Sequence, residues 1–127
     1  MNKTRESIAN EINYVGPVFR TIKVDEKLSF EVGQVINNIG LSWQTENGVF
    51  TVESDRKYEY FFSCYGKVKG HEVDYDNTEE VEILDAVGCN DECEVLVPNS
   101  QKFIVKSISS DDDYEEMGYY EIELEAV

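Results

Sequence analysis

Proline is scarce in this chain, with two in 127 residues, and histidine and tryptophan occur once each. Cysteine occurs three times, at Cys64, Cys89 and Cys93. That odd count and spacing fit no common zinc pattern, and only His71 could add an imidazole. A structural metal is therefore disfavoured, and free thiols in a reducing compartment are the simpler reading. No Ser or Cys motif points to His71, so a histidine-based nucleophilic site is disfavoured too, and a surface turn beside Gly70 is expected for it. No apolar run approaches the roughly 20 residues of a membrane span. Met1 to Ile12 contains no apolar signal core, so a cytoplasmic protein is expected.

Basic residues are also few: 11 Lys and Arg stand against 27 Asp and Glu, for a net charge of −16. Such a surface repels DNA, RNA and anionic lipid, which disfavours direct nucleic-acid or membrane binding. It suits a basic protein partner, or mimicry of nucleic acid. What the chain has in quantity is apolar and aromatic residues, 41% and 12% of the total, including eight Tyr and six Phe. That composition builds a core, and the length fits one domain over residues 1–127.

Thr4 to Tyr14 reads as a short helix, with Ile8, Ile12 and Val15 on one side and Gly16-Pro17 as its stop. Pro17 to Val24 reads as a strand that places Val18, Arg20, Ile22 and Val24 on one face. Arg20 thus shares a face with three aliphatic residues, which is costly unless it is paired, meets an anion or reaches solvent at an edge. Gln34 to Gly40 reads as a short extended piece and Leu41 to Thr45 as a strand before a turn at Glu46-Asn47-Gly48. Val49 to Val52 and Tyr58 to Val68 are further strand candidates, the second broken by Gly66 and Gly70. Glu79 to Val87 suits one or two helical turns with Val81 and Leu84 inward. Cys93 to Pro98 and Lys102 to Ile108 read as two strands joined at Pro98-Asn99-Ser100. Ser109 to Gly118 reads as an exposed acidic loop. Tyr119 to Val127 alternates cleanly, with Tyr120, Ile122, Leu124 and Ala126 opposite Glu121, Glu123 and Glu125, as in an antiparallel strand with one wet face. The expected fold is α+β, mostly antiparallel β, with one short N-terminal helix.

Glu92-Cys93-Glu94 opens a strand in this reading. Residues two apart then point to one face, which sets two carboxylates about 7 Å apart in a common cleft. Such a pair suits a division of labour, one group orienting a hydroxyl and the other taking a proton. With 27 acidic residues in the chain, the pair alone carries little weight.

Order and context carry more. Val-Phe-Arg (Val18 to Arg20) is followed by Gly-Leu-Ser-Trp-Gln-Thr (Gly40 to Thr45). Next come Glu-Cys-Glu-Val-Leu-Val-Pro (Glu92 to Pro98) and Lys-Phe-Ile-Val-Lys-Ser-Ile (Lys102 to Ile108). From about Val15 to Val127 this order resembles the mono-ADP-ribosyltransferases of the Arg–Ser–Glu subclass, found among bacterial toxins and phage enzymes. The likeness is most specific at Glu92 to Ile108. It is loosest at Ser42 to Thr45, where the family has Ser-Thr-Ser or Ser-Trp-Thr, so either Ser42 or Thr45 supplies the hydroxyl; Ser42, which precedes Trp43, is favoured. The family's helical segments around the Arg and Ser motifs are missing, which implies a minimal version of its split sheet.

The resemblance implies NAD as the substrate and a host protein as the acceptor. It implies that Arg20 contacts the NAD phosphates or nicotinamide ribose, with Trp43 and Thr45 bordering the NAD site. Ser42 would hold Glu94, Glu94 would grip the ribose 2′-hydroxyl, and Glu92 would activate the acceptor. In the family a Glu at the position of Glu92 accompanies arginine acceptors, and the loop Val87 to Asp91 shapes acceptor recognition. The alternative is a non-catalytic acidic protein, a nucleic-acid mimic or inhibitor that blocks a basic partner, and −16 is the feature that supports it.

Overall fold

The computed structural model describes residues 4–46, 56–84 and 93–127. Its elements run α1 (Arg5–Ala9), β1 (Tyr14–Val24), β2 (Val35–Asn37), β3 (Ser42–Gln44), β4 (Tyr58–Glu72), α2 (Thr78–Ile83), β5 (Glu94–Leu96), β6 (Lys102–Ile108), α3 (Asp111–Met117) and β7 (Tyr120–Ala126). Among the described residues the strands form one sheet in the order β1-β3-β5-β4-β7-β6-β2, and a further pairing of β1 with β4 closes the first four strands into a circuit. All strand pairs are antiparallel except β4 with β7. The mostly antiparallel α+β expectation therefore holds.

The long β1–β4 ladder is the spine, running from Tyr14 opposite Gly70 to Val24 opposite Tyr58. Alternation sets its inner face: Val18, Tyr60, Phe62 and Cys64 enter the main core with Trp43, Val95, Phe103, Val105, Ile122 and Leu124. A second cluster of Ile8, Ala9, Val73, Leu84 and Leu96 seats the two short helices α1 and α2. Phe62 is fully buried and meets Phe30 edge-on at 5.8 Å between ring centroids. Phe62→Ala is expected to cost about 3–5 kcal/mol of unfolding free energy, read from the urea midpoint; a cost below about 1 kcal/mol would place this ring outside the core's centre of stability.

Several expectations are corrected. The first helix ends at Ala9, where Asn10 caps it, so Ile12 and Val15 are exposed rather than packed. Gly16-Pro17 does not stop a helix but lies inside β1, where the pairing with β4 slips between Gly16 and Val18. A proline is tolerated at such a bulge because it has no ladder hydrogen bond to lose there. Gly66 and Gly70 do not break β4, which continues to Glu72. Gly70 instead admits β5, since a Cβ there would fall 2.7 Å from Val95 and 2.8 Å from the Leu96 carbonyl oxygen.

The acidic stretch after Ser109 is helical, not a loop. Ser110 and Asp113 form a reciprocal capping box, three aspartates occupy the first turn, and Gly118 closes the helix at φ 84°. Acidic side chains at a helix start complement its dipole, so this composition encodes α3. β7 alternates as expected but has an antiparallel neighbour only at β6. His71 does not lie on a surface turn: it is buried in β4, with Nδ1 2.6 Å from the Glu11 carbonyl and Nε2 against the Glu80 carboxylate. No helix among the described residues is long and apolar enough to cross a membrane. The strand candidate Val49 to Val52 lies outside the described residues.

Candidate active site

Three strands bring the candidate residues together. Phe19 of β1 is in register with Gln44 of β3, and Gln44 with Glu94 of β5. Ser42, two residues before Gln44, therefore shares its face, diagonal to Glu94. The Ser42 hydroxyl donates a short hydrogen bond to Glu94 Oε2. Backbone bonds fix this diagonal at both ends, from Thr45 N to the Cys93 carbonyl at 2.9 Å and from Val97 N to the Leu41 carbonyl at 2.8 Å. On its other side Glu94 is tied to β4, its carbonyl accepting from Val73 N at 3.0 Å.

Arg20 arrives from the inner face. It lies opposite Phe62, between Val18 and Ile22, as the alternation of β1 requires. Its Nη1 donates to the Ser42 carbonyl at 2.5 Å, and Nε is buried with no hydrogen-bond partner. The guanidinium rests on Gly40, whose φ is +151°; a Cβ at that position would lie 2.8 Å from the guanidinium carbon. Glycine at 40 thus makes room for Arg20, and only glycine adopts this backbone readily. Burial pulls the Arg20 pKa below its ordinary value, and the Glu94 carboxylate acts to raise it. An arginine so placed remains charged at neutral pH.

Arg20, Ser42 and Glu94, far apart in sequence, therefore meet at one place. Of the two candidate hydroxyls, that of Ser42 reaches Glu94, whereas Thr45 is buried and enters through its backbone N–H. Trp43 is 0% exposed, which corrects the expectation that its ring borders the cleft. Its indole packs on Phe103 at 5.3 Å, and Nε1 donates to Asn38 Oδ1 and to the Gly40 carbonyl, each at 3.0 Å. Trp43 thus acts on the site by holding the turn that carries Gly40. Asn38 clamps the same turn to β5 through Nδ2, which donates to the carbonyls of Val97 at 2.9 Å and Pro98 at 3.1 Å. Sequence reasoning missed both Asn38 and Gly40 as site-builders; a glycine just before the Ser-Trp segment was the available signal.

Cys93 has φ 57°, the one positive value for a non-glycine residue among those described. Left-handed backbone at such a residue costs on the order of 1–3 kcal/mol and gathers at functional sites. It stands directly before Glu94, and β5 begins at Glu94. Cys93 therefore lies outside the strand that was expected to include it. Glu92, Cys89 and the loop Val87 to Asp91 lie outside the described residues. Cys64 is a buried free thiol, and burial pushes its pKa up. No cluster of three metal-ligating side chains occurs among the described residues.

The fold is similar to that of ADP-ribosyltransferases. The Vis toxin, an ADP-ribosyltransferase from Vibrio splendidus, superposes with a TM-score of 0.52 and 21% identity over 90% of this chain and 49% of its own. C3stau2 from S. aureus, solved with NAD, gives 0.56 and 14% identity over 97% of this chain and 67% of its own. The type III effector XopAI from Xanthomonas axonopodis pv. citri gives 0.53 and 13% over 96% of this chain and 44% of its own. This chain spans about half the length of the Vis chain. Comparisons with protein-family models and with curated proteins find no match.

Proposed function

We propose that this protein is an NAD-dependent mono-ADP-ribosyltransferase of the Arg–Ser–Glu subclass that modifies arginine on a basic host protein. The observation that carries the reading is the hydrogen bond from Ser42 to Glu94 beside the Arg20 guanidinium. The residues suit an anion in one respect: Arg20, seated on Gly40, offers a buried Nε with no hydrogen-bond partner.

Each residue then has a defined task. Arg20 binds phosphate or ribose oxygens through its planar fork and supplies local positive charge in a chain of net charge −16. Ser42 fixes the Glu94 carboxylate, and Glu94 accepts a hydrogen bond from the ribose 2′-hydroxyl. That preorganised negative charge stabilises the positive charge developing on the ribose as the bond from C1′ to the nicotinamide nitrogen breaks. Nicotinamide leaves with the bonding pair, a guanidinium nitrogen of the acceptor forms the new bond to C1′, and Glu92 takes that nitrogen's proton.

Glu92→Gln separates the two half-tasks. Transfer of label from NAD to an arginine substrate is expected to fall by about 100-fold, while nicotinamide release to water persists within about tenfold, both measured on one protein preparation. Equal retention of both activities would remove Glu92 from acceptor activation. A second reading, an acidic blocker of a basic partner, is favoured by the net charge alone. It would be adopted if millimolar NAD produced neither turnover nor a thermal shift.

A further inference from the structure

A cavity lies away from the Ser42–Glu94 pair, where the connection after β1 crosses the sheet and meets the start of α3. Its volume is about 390 Å³, and its walls include Phe30, Tyr60, Tyr120, Ile108 and Ile122. The aromatic residues form a continuous stack: Tyr60 and Tyr120 lie 5.2 Å apart at an interplanar angle of 24°, and Phe30 stands edge-on to Tyr60 at 6.2 Å. A cation already sits on this stack. Lys27 Nζ lies 5.4 Å from the Tyr120 ring centroid and 2.9 Å from Asp111 Oδ1.

The two partners of that ion pair are not equally fixed. Asp111 is held by the Tyr120 hydroxyl, which donates to Oδ1 at 2.6 Å, and by its place in the first turn of α3. Both of these contacts, with Lys27 and with Tyr120, fall on Oδ1. Lys27 sits in a connection without helix or strand; both side chains reach solvent, Lys27 at 51% and Asp111 at 74% exposure. The Tyr120 hydrogen bond holds the Asp111 carboxyl below the usual range, which keeps it ionised, and the bond to Asp111 holds the Lys27 ammonium above its own.

We infer that this cavity is a docking site for an arginine side chain of a basic partner protein, and that Lys27 occupies it in the free protein as an internal stand-in. A carboxylate anchored to the rim of an aromatic cluster recognises a cation, and a lysine resting there displays that preference within the same chain. Guanidinium fits better than ammonium. It is planar, and its fork can engage both Asp111 oxygens where Lys27 uses one. It also sheds water more readily than an ammonium. The chain's −16 charge draws such a partner in from a distance. The site depends on neither Glu94 nor NAD, so it stands or falls separately from the transferase reading.

The test is titration of the full chain, without NAD, with an acetylated and amidated Gly-Arg-Gly peptide, followed by NMR of the tyrosine rings. Shifts are expected at Tyr60 and Tyr120, and the peptide with citrulline in place of arginine should give none. Lys27→Ala is expected to tighten binding about threefold to fivefold by removing the competitor. Lys106→Ala is the control. It takes the same charge from another exposed ion pair, 3.9 Å from Glu123, that has no aromatic floor, and should change affinity less than twofold. Asp111→Asn is expected to weaken binding about tenfold. Equal tightening by both lysine substitutions, or shifts spread over the acidic surface without Tyr60 and Tyr120, would overturn the assignment.

Discussion

Glu94→Gln is expected to lower nicotinamide release from NAD by about 10²- to 10³-fold, with little change in thermal stability. The substitution keeps the side chain's shape and its capacity to accept a bond from Ser42. It removes the negative charge aimed at the ribose, and a preorganised charge at a developing cation is worth about that factor. Stability should hold because the backbone of Glu94, rather than its carboxylate, ties β5 to β3 and β4. Steady-state release at saturating NAD checks the rate, and a thermal melt of the same sample checks the fold. Equal release by wild type and variant would take Glu94 out of the chemistry and leave its bond to Ser42 a structural feature.

Arg20→Lys is expected to reduce kcat/KM for NAD by about 100-fold, most of it in KM. Lysine keeps the charge but loses the fork. A single ammonium cannot hold the Ser42 carbonyl and present a second fixed donor to a phosphate or ribose oxygen. Gly40→Ala acts on the same contact from the other side, because its methyl group would meet the guanidinium carbon at 2.8 Å on a backbone that disfavours side chains. It is expected to raise KM in the same direction with a smaller effect. A KM for NAD unchanged in both variants would dissociate the Arg20 pocket from dinucleotide binding.

How much of this was readable from the chain differs by element. β7 was legible because its alternation is strict, and β1 because three aliphatics and one arginine share its inner face. Those local patterns do not depend on partners. The two glycines in β4 misled because local flexibility says nothing of a neighbour's approach; Gly70 is dictated by the close passage of Val95 and Leu96. Helix α3 was misread because its acidic residues suggest solvent, while their effect as a cap and as partners of the helix dipole decides the structure. His71 was misplaced because its burial depends on Glu80, nine residues later in α2, and on the Glu11 carbonyl.

Within the candidate site, the convergence of Arg20, Ser42 and Glu94 was legible only through the order of motifs, since no periodicity links residues 20, 42 and 94. The choice between Ser42 and Thr45 was open in sequence; across the β3–β5 diagonal it is the Ser42 hydroxyl that bonds Glu94. Asn38 and Gly40 escaped notice because their work is done through a turn. The turn's role appears only once Trp43 is seen to be buried beneath it.

The most direct measurement is an NMR titration of the arginine Nε–H signals with NAD. The chain has three arginines, Arg5, Arg20 and Arg56, so the spectrum holds three signals to assign. Of the three, Arg20 has its Nε buried and unpartnered, at the proposed NAD site. Expected is a saturable shift of the Arg20 signal, with Arg5 and Arg56 unmoved. An Arg20 signal that stays fixed at millimolar NAD, while the protein remains folded, would contradict an NAD site at Arg20, Ser42 and Glu94.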